Sequence, residues 1–85
     1  YKRFIIIESS FVLIKCNNLY VEQIIIDLKK INPVKEIQGI YGMYDILIKI
    51  QSDDCTIDEI IYNSIRKIKN ITSTVTLNLT DSKEN

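Results

Sequence analysis

The residues best suited to chemistry fall in two short stretches. The first is Tyr41-Gly42-Met43-Tyr44-Asp45 and the second is Thr72-Ser73-Thr74-Val75-Thr76. Asp45 can accept hydrogen bonds from an ammonium group with charge assistance. Gly42 lets a backbone come close to a ligand and frees N–H groups for a carboxylate. The hydroxyls of Thr72, Ser73, Thr74 and Thr76 suit either end of a zwitterion. Tyr41, Gly42, Tyr44, Asp45, Thr72, Ser73, Thr74 and Thr76 therefore form the candidate ligand-binding set. The same residue types also build ordinary hairpins and sheet edges, so composition alone leaves both readings open. A third group, Asp53, Asp54 and Asp58, surrounds the start of a helix, where acids are favoured without any further role.

Several chemistries are excluded by what is missing. The 85 residues contain no histidine, which removes Ser-His-Asp and Cys-His catalysis, histidine-ligated metals and imidazole acid–base work. Two cysteines, Cys16 and Cys55, cannot supply a four-ligand zinc site within one chain. No cofactor motif, metal site or catalytic residue is expected. Eleven basic and eleven acidic side chains cancel, and a pI near 6.4 argues against a surface that lives on phosphate. Lys29, Lys30, Arg66, Lys67 and Lys69 cluster at helix ends, where the helix dipole explains them. Direct nucleic-acid binding is not expected. The longest apolar runs, Phe4-Ile5-Ile6-Ile7 and Phe11-Val12-Leu13-Ile14, fall far short of the ~20 residues of a membrane helix. With two cysteines and no secretory signal, a reducing cytoplasm is the expected setting. The sequons at Asn70 and Asn78 are then matters of chance in an Asn-rich chain.

These residues need elements to position them. Phe11–Lys15 is short, β-branched and apolar on both faces, as a strand. Val21, Ile24, Ile25, Leu28 and Ile31 recur at spacings of three and four and predict a helix over 19–31, stopped by Asn32-Pro33. Residues 34–41 and 44–51 read as strands joined by a Gly42-Met43 two-residue hairpin loop. Thr56 and Glu59 fit a capping box for a helix whose stripe is Ile57, Ile60, Ile61, Ile65 and Ile68. Residues 71–80 read as a final strand. The order β-α-β-β-α-β is the ferredoxin-like arrangement of an α+β sandwich. Strands one and three are expected as a central, parallel pair. Both helices are expected to finish at the hairpin end, with Cys16 and Cys55 as reduced thiols at the opposite end. Residues 1–10 stand outside as an extra strand or linker stub, 11–80 form the domain, and 81–85 are a polar tail.

Ile fills 19 positions and Ala none, so pattern carries more than content. In the central strands Ile46, Ile48 and Ile50 share one face and Leu47 the other. Likewise Phe11 and Leu13 oppose Val12 and Ile14. One helix layer covers only one of those faces. Leaving the other wet forfeits several kcal/mol at about 25 cal/mol per Å². A second copy placed sheet against sheet is the expected solution, closing an α/β barrel; packing of the N-terminal segment under the sheet is the alternative.

Gly39-Ile40-Tyr41-Gly42-Met43-Tyr44-Asp45-Ile46-Leu47-Ile48-Lys49-Ile50, followed by Ser52-Asp53-Asp54, resembles the Gly-x-Tyr-Asp core of the effector domain of the Lrp/AsnC regulators. The segment from Ile65 to Thr76 is similar to that domain's ending. The likeness runs from Phe11 to Leu79. It implies a RAM (regulation of amino-acid metabolism) domain that is dimeric and often forms rings of dimers. It also implies a small-molecule effector, usually an amino acid, held between dimers near the hairpin. Gly42, Tyr44 and Asp45 match the motif; Thr72, Ser73, Thr74 and Thr76 match the facing segment. The family's N-terminal helix-turn-helix has no counterpart, so the expectation is a stand-alone or excised sensing and oligomerisation module that meets full-length regulators. Two other readings compete. One is a small dimeric α/β-barrel enzyme of monooxygenase or isomerase type, since fold does not fix function. The other is an assembly partner with a vestigial pocket.

Overall fold

The computed structural model describes residues 8–52 and 56–78. Its elements follow the order β1 (Glu8–Cys16), a 3-10 turn (Asn18–Tyr20), α1 (Val21–Lys29), β2 (Val34–Gly39), β3 (Ile46–Ser52), α2 (Ile57–Ile60) continuing as a π-helical segment (Ile61–Ile65), and β4 (Ile71–Asn78). The strands form one sheet in the order β2-β3-β1-β4. This is the ferredoxin-like α+β fold expected.

Local chemistry accounts for the element boundaries. Asn17 accepts from Leu19 N–H at 3.0 Å and opens the turn that leads into α1. Gln23 donates to Asp27 at 3.1 Å along the outer face of the helix. Thr56 caps α2 by accepting from Glu59 N–H at 3.2 Å, as the capping-box spacing predicts. Asn70 adopts φ +76°, a left-handed conformation that asparagine tolerates better than most residues, and turns the chain into β4.

The core lies between the helices and one face of the sheet. Val12, Ile14, Ile46, Ile48 and Ile50 from the sheet meet Ile24, Leu28, Ile57, Ile60, Ile61 and Ile65 from the helices, all buried. Val21, Ile25, Ile31 and Ile68 pack against its margin. Each fully buried Ile or Leu stabilises the fold by roughly 1.5–3 kcal/mol relative to exposure. Both predicted stripes are thus the buried stripes.

Three expectations need correction. The central strands β1 and β3 are antiparallel, not parallel. The reason is chain path: β2 and β3 form an antiparallel pair, while the α1 crossover leaves β2 parallel to β1. Consequently α1 begins, rather than finishes, at the hairpin end. Second, β1 starts at Glu8, with Ser9 and Ser10 opposite Gln51 and Ile50 of β3. Residues 8–10 therefore belong to the sheet. Third, the β2–β3 connection is longer than two residues. Ile40 N–H reaches Asp45 O at 2.9 Å across Tyr41–Tyr44, and Asp45 N–H turns away to Ile14 O of β1, also at 2.9 Å. The N-terminal run 1–7, Cys55 and the tail 81–85 lie outside the described residues.

The second face of the sheet has no layer over it among the described residues. Register places Phe11 beside Leu77, and Leu13 between Leu47 and Val75. Val75 is 36% and Leu77 45% exposed. Toward β2 the same face turns polar, with Glu36 opposite Lys49 and Gln38 opposite Leu47.

Candidate functional site

With the strands antiparallel, one end of the sheet gathers the end of β1, the start of α1, the β2–β3 loop and the start of β4. The loop is tied to β1 at several points. Besides the Asp45 N–H bond to Ile14 O, a carboxylate oxygen of Asp45 accepts from Cys16 N–H at 2.9 Å. Lys15 Nζ donates to Met43 O at 3.1 Å. On the other side, Asn17 N–H donates to Asn70 O at 3.3 Å. The four segments thus form one hydrogen-bonded unit.

This unit frames an open depression of about 520 Å³ lined by Asn18, Val21, Gly39, Ile40, Tyr41, Gly42 and Asp45, a size within the usual range for small-ligand sites. Gly42 has φ +124° with open space around the position where a side chain would begin. Backbone conformation, not crowding, asks for glycine there. Tyr41 is fully exposed and Met43 largely so.

The candidate set does not converge on one pocket within a chain. Tyr41, Gly42 and Asp45 line the depression, while Tyr44 is half-buried in the same loop without lining it. Thr72 is the extra residue of a β-bulge. Lys15 pairs with Ser73 and Cys16 with Ile71, and Thr72 Oγ1 donates to Lys15 O at 3.0 Å. Its hydroxyl thus serves a backbone carbonyl at the break in the ladder. Ser73 shares the open sheet face with Lys15. Thr74 and Thr76 stand opposite Ile14 and Val12 on the helix-facing side. Gly39 and Ile40 belong to the hairpin segment, outside the candidate set, whereas Asn18 and Val21 were not anticipated at all. Correct strand polarity is the signal that finds Asn18 and Val21, because it brings the start of α1 beside the hairpin.

Cys16 also needs correcting: it sits in this unit, not at the far end. Burial, first, and the neighbouring Asp45 carboxylate push its thiol above the ordinary cysteine range, opposed by Lys15. Such a thiol is protonated and slow to react at neutral pH. No group of three or more acidic or cysteine side chains that could hold a metal occurs among the described residues. Among those residues, too, no helix is long and apolar enough to cross a membrane.

No family profile matches the chain. Over 69 residues it is 40% identical to homocitrate synthases of Saccharolobus islandicus and Saccharolobus solfataricus, and over 68 residues it is 35% identical to that of Sulfolobus acidocaldarius. The chain spans about 15% of the length of these relatives. Among solved structures, an FFRP protein superposes with a TM-score of 0.78 and 28% identity, over 86% of this chain and 99% of that one. A hypothetical protein of Pyrococcus horikoshii gives 0.73 and 28%, over 85% and 87%. AsnC of E. coli gives 0.77 over the whole of this chain and 64% of its own, at 22% identity, a likeness of fold. Over most of its length the chain thus has the fold of these solved structures, AsnC of E. coli among them.

Proposed function

We propose that this chain is a non-catalytic, effector-sensing module that works by assembling with itself in the cytoplasm. The observation that carries the reading is the depression at the hairpin end, lined by Tyr41, Gly42 and Asp45. Chains pair through the apolar sheet face around Leu13. An amino-acid effector binds at the hairpin end, between dimers, where Tyr44, Thr72, Ser73, Thr74 and Thr76 act as further contacts offered toward neighbouring copies. The mechanism is linkage: a ligand shifts assembly only by its differential affinity for the states it chooses between. In this setting the module modulates Lrp/AsnC-type transcriptional regulation, in company with full-length regulators and without touching DNA itself.

The likeness to a short portion of homocitrate synthases supports a second setting for the same sensing, as a module within an enzyme whose catalytic part it biases. The mass of the native polypeptide and an assay for homocitrate synthase activity separate the two settings.

The test of sensing is light scattering of the protein against the standard L-amino acids. At least one is expected to bind and to change the mass distribution. No binding and no change in assembly for any of them overturns the proposal.

A further inference from the structure

The end of β1 carries three consecutive residues that each bond to the β2–β3 loop. Ile14 O accepts from Asp45 N–H at 2.9 Å, Cys16 N–H donates to the Asp45 carboxylate at 2.9 Å, and Lys15 Nζ donates to Met43 O at 3.1 Å. The first two use backbone groups of β1 that the ladder holds in place. The third depends on a side chain, and among the described residues it is the only hydrogen bond joining the span 41–44 to β1. Side chains two apart on a strand share a face and lie about 7 Å from each other. Lys15 therefore stands on the open face next to Leu13, with Ser73 as its cross-strand neighbour, and reaches past the end of the sheet to the loop.

We infer that Lys15 is a positioning residue that couples the hairpin loop to the pairing of two sheet faces. Lys15 is exposed in the single chain, so its bond to Met43 O is screened by water and opposed by the rotamer freedom of a long side chain. A second copy seated on Leu13, Leu47 and Val75 covers the space above the sheet. It removes the rotamers that lie across that space and shields the bond from water, which strengthens it. The Lys15 stem then keeps its course past the end of the sheet, and Met43 O is held. Tyr41, Gly42 and Asp45 of the same loop line the depression, so pairing sets the frame of the depression through one side chain. The coupling rests on the proposed pairing through the sheet face and adds the route by which pairing and loop order act on each other. By linkage it runs both ways: whatever orders the loop favours pairing by the same factor.

The experiment is hydrogen exchange of the Ile40 and Asp45 amides, whose bonds to Asp45 O and Ile14 O open with the loop, with sedimentation of the same samples. The Val34 amide, bonded to Ile31 O at the far end of the sheet, controls for general stabilisation by pairing. Paired wild type is compared with single chains, obtained by dilution or by Leu77→Glu, which puts a charge on the open face beside Phe11 and away from Lys15. Pairing is expected to slow both loop amides by roughly threefold to tenfold, the scale of one hydrogen bond, beyond any slowing at Val34. Lys15→Met keeps the apolar stem, so it pairs as wild type does but loses this extra protection. Lys15→Arg, which again offers a donor, restores it. Paired wild type without extra protection at Ile40 and Asp45, or a paired Lys15→Met as protected as wild type, overturns the inference and leaves pairing standing. So does a Lys15→Met that no longer pairs, because lysine then serves the interface itself. A wild type that sediments as one chain overturns both.

Discussion

Asp45→Ala removes the acceptor that Cys16 N–H meets at 2.9 Å. Cys16 is only 8% exposed, while Asp45 lines the open depression, so water compensates its N–H only in part. A hydrogen bond to a charged group contributes about 1.5–3 kcal/mol, and a buried donor left unmet costs about 1–3 kcal/mol. The two 2.9 Å backbone bonds of Asp45, to Ile14 O and from Ile40 N–H, survive the substitution. The loop therefore stays anchored, and the loss is confined to about 2 kcal/mol. Asp45→Asn keeps a neutral acceptor and forfeits only the charge assistance, about 1 kcal/mol. In a domain of this size 1 kcal/mol moves the midpoint by about 4–8 °C, so alanine lowers Tm by about 8–16 °C and asparagine by about half that. Thermal unfolding by circular dichroism reads both, at one fixed protein concentration because self-association shifts the midpoint. An alanine variant as stable as wild type, or an asparagine variant as damaged as alanine, refutes the role of Asp45 as the strut between loop and β1.

Ile48 is fully buried in central strand β3, and Ile48→Ala is expected to cost roughly 2–5 kcal/mol in urea unfolding; a loss below about 1 kcal/mol contradicts the core described. Thr56→Ala removes the exposed α2 cap and costs about 1 kcal/mol, whereas Thr56→Ser retains most of the stability. The raised thiol of Cys16 means that the folded chain holds this proton more tightly than the unfolded chain. Its stabilising contribution is complete below the ordinary thiol pKa, roughly 8.5, and declines as pH rises from there toward the folded value. Cys16→Ala should flatten that decline when unfolding is compared between neutral and mildly alkaline pH. An equally steep decline in the variant would count against the assignment.

The order of elements was legible because isoleucine recurs at helical spacing in 57–68 and because both faces of the central strands are apolar. The buried stripe of α1, with Ile24 and Leu28 at its centre, followed from the same periodicity. Strand polarity was misjudged, and the error propagated: with β1 and β3 taken as parallel, Cys16 seemed remote from Asp45, which in fact accepts from its N–H. The role of Thr72 was not legible, since a β-bulge depends on pairing register and not on local sequence. Nor was the π-helical segment Ile61–Ile65, whose Arg66 N–H to Ile61 O bond of 2.8 Å leaves no signature in the apolar spacing. Of the candidate loop residues, Tyr41, Gly42 and Asp45 line the depression and Tyr44 does not. Those on β4 were placed near the right end of the sheet but are divided among its two faces and its bulge.

Self-association through the uncovered sheet face underlies the whole account, and sedimentation equilibrium at high micromolar concentration tests it most directly. Leu13, set between Leu47 and Val75 in the register, is the residue to perturb. The account predicts a wild-type mass of at least two chains and a Leu13→Glu variant that sediments as one chain with an unchanged far-ultraviolet spectrum. A wild-type protein that sediments as a single chain, or a Leu13→Glu variant with the wild-type mass, would contradict it.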